Sequence, residues 1–255
     1  MRRIAFTNQK GGVAKSTSCI NIASILGEQG KKVLVIDLDP QANATMGLGI
    51  EWNDLEGRTT VYDCLVSEEP ITAAVMSTKF ENVSVIPSYI TLANAEIEIS
   101  SKVGRETLLK DSIDLACVEE IFDYVLFDLP PTLGLLTING LVAATEIIIP
   151  IDTGIFAMSG IQQLINIINL VKRKLNSKLK VLGVLMTKVD SRTNLSKELY
   201  SDLKEIFDNR LFNTVIHQNV RIAEAQKEMT PINYFDSKCK GTEEYRAVTD
   251  EILTR

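Results

Sequence analysis

The chain has 255 residues, 45% of them hydrophobic and 24% charged, with a formal net charge of −6. That mixture excludes a disordered chain and leaves room for one large α/β domain or two small ones. The acidic balance also excludes a protein that coats nucleic acid with its whole surface, while a local basic patch stays open.

The first residues run directly into a strand-like segment, Arg3–Thr7, with neither the apolar core nor the small-residue cleavage site of a signal peptide. NQKGGVAKST follows at residues 8–17 and leads into a helical pattern, Ser16–Gln29. Strand, Gly-rich loop and helix form the context a phosphate loop requires. Yet the strict G-x-x-x-x-G-K-[ST] pattern fails at Gln9 and Ala14, where its two glycines belong. Gly11 and Gly12 let backbone N–H groups approach phosphate oxygens without Cβ interference, and Val13 and Ala14 carry the loop onward. Lys15 would then reach the outer phosphates and the Ser16 hydroxyl would coordinate Mg²⁺. Thr17 sits in the first helical turn, where free N–H groups and the helix dipole favour an anion.

The next predicted strand, Lys32–Asp37, runs into DLDPQ. Asp37 and Asp39, one residue apart, share a face, and Pro40 stops the strand. Alone, such a pair reads as a solvated strand end. Beside a phosphate loop, one carboxylate can orient Mg²⁺ or its waters while the other positions an attacking water. After a strand at Val83–Pro87 and a helix at Arg105–Cys117, four apolar residues of Tyr124–Asp128 lead into Asp128 and the stiff Pro130-Pro131. A carboxylate ending a buried strand is the expected direct or water-mediated partner of Mg²⁺. The remaining pattern is a helix at Gly134–Ala144, a strand at Ile147–Ile151, a helix at Ser159–Leu175, a strand at Val181–Thr187, a helix at Leu195–Phe207 and a strand at Leu211–Val215.

Several of these strands are apolar on both faces, as central parallel strands covered by helices should be. The alternation predicts an α/β fold: one doubly wound, mostly parallel sheet with helices on both faces, built from residues 1–255 as a single domain. Ligands of such sheets bind at the carboxyl ends of strands, where NQKGGVAKST, DLDPQ, DLPPT and TKVD all fall. The apolar stretch EIIIPIDTGIFAM is interrupted by Pro150 and Asp152 and is too short to span a bilayer. EEYRAVTDEILTR mixes both charge signs and lacks the cationic face of a membrane-surface helix. A soluble cytoplasmic protein without stable membrane association is expected. Cys19, Cys64, Cys117 and Cys239 lie too far apart for metal-ligand spacing and read as reduced thiols.

KGGVAKST, DLDPQANAT and FDYVLFDLPPTLGLLTINGL together resemble the deviant Walker A class of P-loop NTPases, specifically the ParA/Soj partition ATPases. The resemblance continues through VLMTKVDSRTNLSKEL and NTVIHQNVRIAEA and so covers nearly the whole chain. It implies a slow, partner-stimulated ATPase that uses ATP and Mg²⁺. Lys10 matches the signature lysine, which crosses a nucleotide-sandwich homodimer to the partner's phosphates, stabilising transition-state charge as an arginine finger does. Gly11 matches a glycine at the dimer seam. Lys15 and Ser16 match the phosphate and Mg²⁺ residues, Asp39 the carboxylate that positions the attacking water, and Asp128 the Walker B aspartate. The resemblance further implies non-specific DNA binding in the ATP state, a ParB-like stimulating protein, nucleoid association, and chromosome or plasmid partition. Arg192 and Arg221 stand in segments matching those that carry DNA-binding arginines. Lys172, Arg173, Lys174, Lys178 and Lys180 form a further basic run that reads more simply as a solvated face.

The sequence departs from the family at Ala14, where a glycine is usual. At negative φ the change costs little; at positive φ, or with the methyl against the phosphates, affinity or turnover should fall. Ala14 is expected to be tolerated for binding and to tune the rate. TKVD, residues 187–190, resembles the guanine-reading element of GTPases, but in the partition family the same segment borders adenine. Thr187 and Asp190 are therefore candidates for the nucleotide pocket, with ATP favoured over GTP. His217, the only histidine, stands where relatives commonly have proline and reads as structural rather than catalytic. The alternatives are a MinD-like membrane-associated ATPase, another cargo positioner, and a redox relative of the nitrogenase iron-protein kind. The last needs cysteines near residues 128–140, and none is there.

Overall fold

A computed structural model of the chain describes residues 1–154 and 157–255, the side chains of 157–160 excepted. In chain order the strands are β1 (Arg2–Phe6), β2 (Val33–Asp37), β3 (Met76–Ser77), β4 (Val83–Ile86), β5 (Tyr124–Asp128), β6 (Glu146–Asp152) and β7 (Lys180–Thr187). The helices are α1 (Lys15–Glu28), α2 (Asn43–Gly47), α3 (Val61–Val66), α4 (Ala95–Ile99), α5 (Leu108–Leu115), α6 (Leu135–Ala143), α7 (Ala157–Lys174), α8 (Asn194–Phe207), α9 (Val220–Lys227), α10 (Ile232–Phe235) and α11 (Lys240–Thr254). The strands form one sheet of order β3-β4-β2-β5-β1-β6-β7. All neighbours run parallel except the β3–β4 edge pair, which is antiparallel.

The strand sequences explain why helices cover both faces. Ile4 and Phe6 of β1 point into one apolar cluster, with Val33, Val35, Leu126 and residues of α1 and α11. Ala5 points into the other, with Leu34, Ile36, Val125, Phe127 and residues of α5 to α8. Every residue of β2 and β5 is buried, so each strand needs a helical layer on both sides. The parallel register sets Phe6 and Asp37 level with Asp128 on either side of it. Three chain segments thus deliver their strand ends to one edge of the sheet.

The expected strand Leu211–Val215 does not form. The segment touches β7 through an isolated bridge between Val184 and Leu211. The Asn213 and Thr214 N–H groups donate instead to the Glu251 carboxylate of α11, at 2.9 and 2.8 Å. Donors captured by a side chain are lost to a ladder. The helix expected over Arg105–Cys117 is shorter, ending before Cys117, whose left-handed backbone (φ 48°) stops it. Within EIIIPIDTGIFAM, residues 155 and 156 lie outside the described residues. Among the described residues no helix is long and apolar enough to cross a membrane.

Candidate nucleotide and magnesium site

The loop after β1 is folded by its own side chains. Asn8 donates from Nδ2 to the Pro150 carbonyl (2.7 Å) and accepts from the Lys10 N–H (3.0 Å). Val13 is buried, and its carbonyl accepts from the Thr187 hydroxyl (3.1 Å), which also reaches the Ile151 carbonyl (3.2 Å). Thr187 therefore braces the loop against β6 and β7. Gly12 sits at φ 76°, a conformation natural to glycine. Ala14 caps α1 at φ 62° and ψ 35°, so the departure from glycine falls on a left-handed position. The first turn of α1 (Lys15, Ser16, Thr17) holds no acidic residue, leaving its positive end free for an anion.

A cavity of about 610 Å³ opens over this turn, lined by Gly11, Gly12, Ala14 to Thr17, Asp39, Pro131 and Lys188 among others. Three carboxylates gather at the neighbouring strand ends, of which Asp39 alone lines the cavity. Asp37 is fully enclosed but well satisfied: it accepts from the Thr45 N–H and hydroxyl, both at 2.8 Å, and from the Asp39 N–H at 3.1 Å. Burial nevertheless pushes it up to about 7. Asp39 lines the cavity and accepts from the Gln41 N–H (3.0 Å). Asp128 is different. Both of its oxygens are sealed from solvent and neither has a hydrogen-bond partner among the described residues.

Burial raises the Asp128 carboxyl well above the usual range, and neighbouring Asp37 raises it further. Ser16 and Lys15 lie close enough to offset part of this. Burial lowers the Lys15 ammonium, against the pull of Asp128 and Asp39. An orphaned buried carboxylate beside a hydroxyl and a lysine is what a Mg²⁺–phosphate group would resolve. Among the described residues no cluster of three His, Cys, Asp or Glu could hold a metal by itself. The unpartnered Asp128 oxygens beside Ser16 fit a cation completed by phosphate oxygens and water, the habit of Mg²⁺.

Lys10 does not line the cavity. Its Nζ is held by both oxygens of Asp152 at the end of β6, at 2.7 and 2.9 Å. Gly11 is exposed, and a Cβ there would meet nothing within 4 Å among the described residues. Asp190 is turned elsewhere: Arg192 grips both its oxygens, at 2.9 and 2.7 Å, and holds its carboxyl down at about 2. It lines neither this cavity nor the adjoining one. Arg221, at the start of α9, pairs with Asp236 (2.8 Å) and Glu224 (2.6 Å) and lies over the Phe235 ring. The basic run divides: Lys172, Arg173 and Lys174 end α7, while Lys180 pairs with Glu146 at 3.0 Å.

The adjoining cavity, about 300 Å³, is bounded by Ala14, Thr17, Thr187, His217, Asn219, Gln226 and Tyr245, among others. His217 donates its backbone N–H to Glu244 Oε2 (2.9 Å), and its Nδ1 lies 2.6 Å from Glu244 Oε1. Sequence reasoning missed Gln226, whose Nε2 donates to the Thr17 hydroxyl at 2.7 Å. It also missed Asp152, although a carboxylate closing an apolar strand repeats the pattern that identified Asp39 and Asp128.

A family model described as an AAA domain matches residues 1–181. The chain is 43% identical to the sporulation initiation inhibitor protein Soj of Bacillus subtilis, over 98% of this chain and 97% of the relative. It is 37% identical to the chromosome partitioning protein ParA of Myxococcus xanthus, over 100% of this chain and 88% of that one. A structure of cobyrinic acid a,c-diamide synthase from Mycobacterium smegmatis, with bound ADP and magnesium, superposes with a TM-score of 0.85 at 35% identity. It covers 99% of this chain and 94% of its own.

Proposed function

This chain belongs to the Soj/ParA family of partition ATPases, and from that premise we propose that ATP switches residues 1–255, as one nucleotide-binding domain, between a free subunit and a DNA-bound homodimer. It is a Mg²⁺-dependent ATPase of that family. In the proposed cycle two ATP-loaded subunits close face to face across their phosphate loops. The dimer holds non-specific DNA through Arg192 and Arg221, and a ParB-like protein stimulates slow hydrolysis and release. Cytoplasmic residence on the nucleoid follows from that cycle. Nucleotide drives it only through the different DNA affinity of the ATP and ADP states.

The observation that carries this reading is the placing of Lys10. A lysine in a phosphate loop whose ammonium turns away from its own cavity, toward Asp152 at the rim, is poorly placed to serve its own phosphates. It is available to a facing subunit, and the bare Gly11 beside it leaves room for one. Within the subunit, Lys15 and the first turn of α1 bind the phosphates and Asp39 positions the attacking water. Ser16, with Asp39 and Asp128 directly or through water, would hold Mg²⁺, which would supply neutralisation of the developing phosphate charge.

The test is DNA binding measured with ATP and with ADP for wild type, Lys10→Ala and Asp39→Ala. Lys10→Ala should lose ATP-dependent binding, and Asp39→Ala should keep it without turnover. DNA binding indifferent to nucleotide in the wild type would sink the switch.

A further inference from the structure

The cavity beside the phosphate loop holds the chain's only histidine, and its surroundings fix which nitrogen carries the proton. A neutral imidazole has one donor nitrogen and one acceptor nitrogen. Glu244 offers one oxygen to the His217 backbone N–H and sets the other 2.6 Å from Nδ1. A carboxylate only accepts, so Nδ1 bears a hydrogen, and in the neutral ring Nε2 is then the nitrogen with the lone pair. Glu244 is anchored in turn, being largely buried on α11 with Lys240 Nζ 3.5 Å from the oxygen facing Nδ1. Among the described residues Nε2 has no hydrogen-bond partner, and it is not sealed from solvent. The side chain that carries it lines the cavity.

Several other polar groups of that wall are already engaged. The Thr187 hydroxyl is engaged with the Val13 and Ile151 carbonyls. Asn219 Oδ1 accepts from the Arg221 N–H (2.9 Å), and Gln226 Nε2 is bonded to Thr17. We propose that His217, positioned by Glu244, determines base specificity by accepting a hydrogen bond at Nε2 from the exocyclic amine of adenine. Guanine presents an oxygen at the same ring position, and acceptor would face acceptor. The inference rests on the nucleotide-site reading above and deepens it.

Glu244 also supplies the discriminating variant. In Glu244→Gln the single amide oxygen is claimed by the His217 N–H, so the amide NH₂ faces Nδ1. Nδ1 must then accept, the hydrogen moves to Nε2, and the wall becomes a donor suited to the guanine oxygen. A purely structural His217–Glu244 pair predicts no such inversion.

The experiment titrates wild type, His217→Ala and Glu244→Gln with ATP, GTP and purine riboside triphosphate, which lacks the exocyclic amine. Magnesium tripolyphosphate serves as a base-free control. Wild type should prefer ATP over purine riboside triphosphate by about tenfold, the value of one hydrogen bond. That preference should vanish in His217→Ala, while in Glu244→Gln the ratio of GTP to ATP affinity should rise above that of both other proteins. Because there is one histidine, ¹⁵N-histidine labelling reports a single imidazole. Its Nε2 resonance should be unprotonated in the free protein and should move with ATP but not with purine riboside triphosphate. An ATP preference that survives in His217→Ala, or a proton on Nε2 in the free wild type, overturns the proposal. Should Glu244→Gln fail to fold, those two readouts still decide it. Loss of tripolyphosphate binding in the wild type would count instead against the phosphate-loop reading itself.

Discussion

Ala14 and Asp128 are the residues whose local physics makes the sharpest demands. At φ 62° an alanine bears the left-handed penalty that glycine escapes. Ala14→Gly should therefore raise the apo protein's stability by about 1 kcal/mol, a Tm gain of about 2–4 °C for a chain of this size, read in a thermal melt. An unchanged Tm would show that the loop carries no such strain. Turnover of the same variant tests whether Ala14 sets the rate. Asp128 pulls stability the other way. Its folded carboxyl titrates well above an unfolded one, so the native state holds the extra proton and loses stability as pH rises from about 4 toward the folded value. Asp128→Asn removes that loss. The variant should match wild type near pH 4 and be the more stable of the two at pH 8 without nucleotide. The stabilisation that Mg²⁺–ATP gives wild type should disappear. A variant less stable than wild type at pH 8 would mean that the carboxylate is not orphaned in solution.

At the scale of elements, the start of α6 determines how the segment after Asp128 is held. Glu96 Oε1 accepts from the Leu136 N–H at 3.0 Å, capping the helix from α4. A Cβ on Gly134 would lie 2.1 Å from that same oxygen. Glu96→Ala and Gly134→Ala should each cost about 1 kcal/mol in denaturant unfolding, and the double variant about as much as either alone, since both remove one cap. Full additivity would refute the shared cause. The cap was invisible in the sequence because its two parts belong to different helices. The central strands were legible because a buried strand must be apolar on both faces, and YVLFD and VLVID are. The segment Leu211–Val215 begins apolar like them, but Asn213 and Thr214 interrupt it and Glu251 takes their donors from far along the chain. Likewise the phosphate-loop residues were readable from order and spacing. Gln226 was not, since it meets Thr17 across 209 residues with no local pattern to mark it.

For the whole molecule, the net charge of −6 confines any DNA contact to a few basic groups, and the two candidate arginines are already engaged by the protein's own carboxylates. DNA phosphates must compete with Asp190 for Arg192 and with Asp236 and Glu224 for Arg221. Asp190→Asn should therefore tighten ATP-dependent DNA binding several-fold at low salt, an advantage that shrinks as salt rises. Weakened binding would instead give Asp190 a supporting role in placing the arginine. The packing of α11 has a different consequence, one of timing. It lies along α1, supplies Tyr245 to the cavity beside the phosphate loop and holds His217 there through Glu244. During synthesis α1 emerges long before α11, so the growing chain carries a phosphate loop without its neighbouring wall. ATP is thus a ligand of the finished fold rather than a template for the nascent one.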